Sequence, residues 1–151
     1  MLNGAMTTAD DVIPAKVLIV DDNEQNVELL QAYLEEVKGA ETVVARDGRA
    51  ALAAVAGSRP DLILLDVMMP KMSGFEVCKQ LKDNPATREI PVIIITAINE
   101  SGDYERGIES GANDFLTRPF NRAELMTRIR SLLRIKQMRR EFNPRGSTAQ
   151  D

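Results

Sequence analysis

Apolar residues gather along this chain in short unbroken runs, separated by stretches in which they recur every three or four positions. Val17 to Val20, Leu62 to Leu65 and Val92 to Ile95 are runs of four. Such runs are too short for helices of their own and read as strands buried on both faces. Thr42 to Ala45 is a shorter β-branched strand and Asp114 to Thr117 a fifth. Between them, Val27, Leu30, Leu34 and Val37 predict a first helix, closed by Gly39 as its C-terminal cap. Asp47 is placed to N-cap an alanine-rich helix over residues 50–56, which Gly57 and Pro60 terminate. Ser73-Gly74-Phe75-Glu76 has capping-box spacing and opens a third helix carrying Phe75, Cys78 and Leu81. Residues 101–110 form a weaker fourth helix, with Tyr104 and Ile108 four apart and two glycines inside. Asn121-Arg122-Ala123-Glu124 repeats the capping-box pattern and starts a long last helix reaching about Arg140.

Five alternations of strand and helix, three of the strands apolar throughout, call for a doubly wound α/β fold. The expectation is a five-stranded parallel sheet with helices on both faces, in a single domain. Right-handed crossovers put the carboxyl ends of all strands on one rim, where ligands of such sheets sit. That rim collects Asp21 and Asp22 from strand one, Asp66 from strand three, Thr96 from strand four and Arg118 from strand five.

Composition narrows the chemistry. The chain has 151 residues and a net charge of −4, without the basic excess of a nucleic-acid binder. No apolar run approaches the ~18 residues of a membrane span, and no secretory signal precedes the first strand. A lone cysteine, Cys78, excludes an internal disulfide and fits a reducing cytoplasm; on an apolar helix face it reads as packing. Histidine is absent altogether, which excludes Ser-His and Cys-His catalysis and argues against zinc. Three carboxylates packed together repel unless a cation joins them. Oxygen-only ligands suit a hard divalent ion, Mg²⁺ above all. Carboxylates, Mg²⁺, a hydroxyl and a cation together fit phosphoryl transfer with one aspartate as nucleophile.

VLIVDDNEQN, LILLDVMMPKMSGFEVC, PVIIITA and SGANDFLTRPF, in that order and spacing, resemble the receiver domain of two-component response regulators. The likeness covers about residues 16 to 138. It implies the flavodoxin-like strand order 2-1-3-4-5 and a receiver domain over 16–140 with an extended last helix; the polar, unpatterned ends read as a mobile leader over 1–15 and a disordered tail over 141–151. The resemblance also implies that Asp66 is the phosphoacceptor. By the same resemblance, Asp21, Asp22 and Asp66 are expected to hold Mg²⁺ together with the backbone carbonyl of Met68, Thr96 to turn its hydroxyl toward the phosphoryl group, and Phe115 to be the aromatic that rotates inward with it. Implied partners are a sensor histidine kinase or histidine phosphotransfer protein and a downstream protein or output domain, reached through the face of strand 4, helix 4, strand 5 and helix 5. The apolar seam Ile135, Met138 and Phe142 fits either a phosphorylation-dependent homodimer or a frayed helix end. Arg118 departs from the family, which nearly always has lysine there, and a cis peptide is expected before Pro119. Met68 and Ile98 occupy positions that are polar in relatives that hydrolyse quickly, which implies a long-lived phosphoryl group.

Plainer roles compete with each residue. Asp21 or Asp22 fits an N-cap of the first helix, Thr96 an ordinary strand end, Arg118 a surface charge and Phe115 plain core. Among functions, an aspartyl-nucleophile phosphohydrolase needs an Asp-x-Asp pair after strand one, and here position 23 is Asn. A nucleotide-binding module needs a glycine-rich phosphate loop that the chain lacks. The expectation is a switch and not an enzyme. The alternative within the family is the receiver of a larger regulator such as a diguanylate cyclase, whose linkers the helix Leu132 to Met138 resembles.

Overall fold

The structure, a computed structural model, describes residues 12–97 and 102–142. Five strands and five helices alternate: β1 (Val12–Val20), α1 (Glu24–Glu35), β2 (Lys38–Ala45), α2 (Gly48–Ser58), β3 (Leu62–Asp66), α3 (Gly74–Asp83), β4 (Val92–Thr96), α4 (Asp103–Ser110), β5 (Asp114–Thr117) and α5 (Arg122–Phe142). The strands form one parallel sheet in the order β2-β1-β3-β4-β5. Alternation along the apolar runs divides the core in two. Val17, Ile19, Leu62, Leu64, Ile93 and Ile95 face α1 and α5, meeting Leu30, Leu34, Leu125 and Ile129. Leu18, Val20, Ile63, Leu65 and Ile94 face the other way, against α2 and α3 through Val55, Phe75, Val77 and Leu81. Cys78 belongs to this second layer; burial pushes its thiol pKa up, and its Sγ lies 3.4 Å from the Ser110 carbonyl.

Several boundaries differ from the sequence expectation. β1 starts at Val12, inside the expected leader, because Ile13 and Ala15 are buried against α1 and β2 pairs alongside them. β2 starts at Lys38, so Gly39 lies in a strand and does not cap α1, whose C-cap is Glu36. Gly39 has φ +88 and backs onto the Ile13 backbone, where the β1–β2 register shifts, and a side chain has little room. α2 runs on to Ser58 and ends in Arg59 with φ 50. α5 continues to Phe142, past the expected end of the domain at 140. Along it, Leu132 and Leu133 still pack on the core, while Ile135 and Met138 are exposed. α4 turns Gly107 and Ser110 inward and leaves Tyr104 and Ile108 exposed. The rest of the expected leader, the tail from residue 143 and Ile98 lie outside the described residues. No helix among the described residues is long and apolar enough to cross a membrane.

Candidate functional site

The carboxyl rim brings Asp21, Asp22 and Asp66 together, with one oxygen of each lying within 4.8 Å of the others. Core strands deliver them: Asp66 ends β3, whose five residues are all buried, and Asp21 follows Val20 at the end of β1. Asp21 and Asp66 are themselves buried and Asp22 is exposed. The capping role is taken elsewhere. Asn23 caps α1, its side chain accepting the Asn26 N–H at 3.0 Å, and Asp21 Oδ1 accepts the Asn23 N–H at 2.9 Å. That leaves Asp22 clear of the helix and turns Asp21 back into the rim.

Arg118 completes the cluster. Its Nη1 donates to Asp66 Oδ1 at 2.8 Å and its Nη2 to Asp21 Oδ2 at 2.9 Å, one planar fork across two buried acids. The Arg118 backbone N–H donates to the Thr96 carbonyl at 2.8 Å, so the arginine is rooted on the last residue of β4. The Arg118–Pro119 peptide is cis, as the motif implies. Thr96 is buried at the rim, one residue beyond Ile95, the register partner of Asp66. Met68 stands two residues past Asp66 on the β3–α3 loop, its side chain exposed.

Burial pushes the Asp66 carboxyl up to about 6. The hydrogen bond from Arg118 pulls it back, and the negative charge of Asp21 pushes it up again. At neutral pH such a group is ionised yet poorly solvated, the state that suits a nucleophile. Three acids and one guanidinium leave the rim with excess negative charge, and an all-oxygen donor set fits a hard divalent cation.

Phe115 is half-buried on β5. It packs its ring on Tyr104 at 5.1 Å between centroids, and the Arg128 Nε donates to its carbonyl at 2.8 Å. It is thus neither sealed core nor free surface, and it joins β5 to α4 and α5. Two contributors escape a reading of the sequence. Three cap-forming residues in a row, Asp21 to Asn23, hide which of them caps. Gly74 abuts the Asp66 backbone so closely that a Cβ there would lie 2.3 Å from the Asp66 carbonyl oxygen, while its sequence signal is only that of a capping box.

The family model of the response regulator receiver domain matches residues 17–130. Response regulator PleD of Caulobacter vibrioides is 51% identical over 134 residues, which cover 89% of this chain but only 29% of PleD. Among solved structures, the receiver domain of a signal transduction histidine kinase from Syntrophus aciditrophicus superposes with a TM-score of 0.74 at 40% identity, covering 79% of this chain and 89% of that one. A sensor histidine kinase receiver domain from Pseudomonas aeruginosa, with a magnesium ion coordinated in its active site cleft, reaches 0.74 at 30% identity over 80% of this chain and 98% of that one. The matched segment takes in the whole acidic rim from Asp21 to Arg118, and with the half-identical relative it places the chain in the family of response regulator receiver domains.

Proposed function

We propose that Asp66 is the phosphoacceptor of a signalling switch, loaded by a sensor histidine kinase or histidine phosphotransfer protein in the cytoplasm. The observation that carries this reading is the junction of Asp21, Asp22 and Asp66 on one rim, two of them buried and tied by Arg118. These 151 residues hold no histidine, so the donor imidazole lies outside them. Transfer breaks the phosphorus–nitrogen bond of that donor and forms a phosphorus–oxygen bond to Asp66. Asp21, Asp22 and Asp66, with the Met68 carbonyl, would hold Mg²⁺, which when bound offsets the charge on the phosphoryl oxygens.

Arg118 and Thr96 then read the new dianion by charge-assisted and hydroxyl hydrogen bonds. The backbone bond between them, and the Phe115 packing on Tyr104, give the change a route to the exposed side of α4 and β5. Tyr104 and Ile108 are large exposed apolar groups on that side, suited to a downstream protein or output domain. Self-association of the phosphorylated form through Ile135 and Met138 belongs to the same proposal.

Beryllofluoride with Mg²⁺ mimics an acyl phosphate, so amide shifts should change at the rim and across β4, α4 and β5. The Asp66→Asn variant should show none of these changes. Shifts confined to the rim would refute transmission through that face.

Lifetime is a second expected outcome. Met68 stands two residues past the acceptor with its side chain exposed, and its thioether is a poor hydrogen-bond partner for a water. Met68→Asn should hasten loss of the phosphoryl group by about tenfold, the order of one positioning contact. Decay followed by intact mass after donor removal checks this; an unchanged rate contradicts it.

A further inference from the structure

We infer that Arg118 is a built-in counter-ion that competes with the divalent cation for Asp21 and Asp66, so that opening of its fork gates metal loading; this rests on the functional reading above. Asp21 has no uncommitted oxygen: Oδ1 accepts the Asn23 N–H at 2.9 Å and Oδ2 accepts Arg118 at 2.9 Å. Asp66 gives Oδ1 to the same guanidinium at 2.8 Å and keeps one oxygen clear. A dication approaching the three acids therefore meets a cation already seated on the two buried ones. Asp22, exposed and without such a bridge, is the acid left to meet it first.

Residue type is the specific point. A planar guanidinium spans two carboxylates at once, whereas an ammonium is a point charge that serves one site at a time from a flexible stem. The fork therefore holds the closed pair more firmly than lysine would. The root of Arg118 stays hydrogen-bonded to the Thr96 carbonyl at 2.8 Å, and its side chain is 27% exposed, so it can swing out without unpairing the backbone. The apparent affinity for metal is then the intrinsic affinity reduced by the fraction of molecules with the fork open.

The test is a Mg²⁺ titration of the whole chain, wild type, Arg118→Lys and Arg118→Gln, followed by amide shifts of Asp22, Asn23 and Val67. Arg118→Gln should bind about tenfold more tightly than wild type, as for a fork closed roughly nine-tenths of the time, with Arg118→Lys in between. In wild type the Arg118 guanidinium resonances should move with the same midpoint as metal binding. The Lys variant separates fork from charge, and it carries the test if the Gln variant does not fold. Equal affinities, a tightest wild type, or a Lys variant that matches wild type would overturn the inference. Absence of Mg²⁺ binding by all three proteins would instead overturn the functional reading beneath it.

Discussion

Replacing Asp66 by asparagine is expected to stabilise the metal-free protein at pH 7.5. Asp66 is buried and its carboxyl is pushed up to about 6, above the ordinary 3.8, chiefly by burial. Folding thus favours the protonated form. Below the unfolded pKa both states are protonated and burial of this group carries no ionisation penalty. As pH rises through the folded pKa the native state must hold a desolvated charge, and stability is lost across about pH 4 to 6. A shift of this size corresponds to about 1–3 kcal/mol at neutral pH. Asparagine keeps the shape and a carbonyl oxygen for the Arg118 donor while removing the charge. Urea unfolding at pH 4.5 and 7.5 in EDTA checks the sign. Wild type should lose stability relative to Asp66→Asn on going to the higher pH, and saturating Mg²⁺ should narrow the gap. Equal stability at both pH values would mean that Asp66 is not strained by its burial.

Gly74→Ala is expected to damage both stability and phosphorylation. The added Cβ would sit 2.3 Å from the Asp66 carbonyl oxygen, 2.9 Å from its carbon and 3.0 Å from the Val67 Cα. All three are backbone atoms, so no side chain can rotate away to make room. Either α3 withdraws, breaking the Gly74 N–H bond to the Val67 carbonyl at 3.1 Å, or the end of β3 shifts and carries Asp66 with it. Overpacking against a fixed wall costs about 3 kcal/mol. Misplacing a reacting group by a fraction of its working distance can cost ~10²-fold in rate. Unfolding in urea and the initial rate with acetyl phosphate measure the two effects. Gly57→Ala is the control, since nothing lies within 4 Å of its Cβ, and it should leave both unchanged or add slightly to helix stability. A Gly74→Ala protein as stable and as fast as wild type would remove this glycine from the site.

What could be read in advance depended on how locally each feature is encoded. Leu62 to Asp66 and Val92 to Thr96 are apolar on consecutive positions because both faces of the central strands are covered, so strand, parallel sheet and rim followed from the runs themselves. The acidic rim followed from chain order, since crossover handedness leaves the strand ends on one side. β2 was legible only over its last four residues. Its first half is polar because it lies at the sheet edge, and what makes it a strand is pairing with β1, a partner distant in sequence. Gly39 looked like a cap for the same reason: a glycine after a helical stretch and a glycine at a register shift are alike until the neighbouring strand is placed. Tyr104 and Ile108 have helical spacing, yet they mark the exposed side of α4, since small residues, Gly107 and Ser110, make its inward contacts. The double bridge of Arg118 was beyond reach of any motif. It requires the end of β5 to be set across β4 and β3 from the end of β1, which only the assembled sheet does.

The measurement closest to the central claim is the intact mass of the chain after incubation with acetyl phosphate, with Mg²⁺ and with EDTA, for wild type and Asp66→Asn side by side. The expected result is one added phosphoryl group on wild type in Mg²⁺ alone, none on the variant, and none on either protein in EDTA. A phosphoryl group gained by Asp66→Asn at the wild-type rate, or by wild type equally well in EDTA, would contradict the assignment of Asp66 and its acidic neighbours as a metal-assisted phosphoacceptor site.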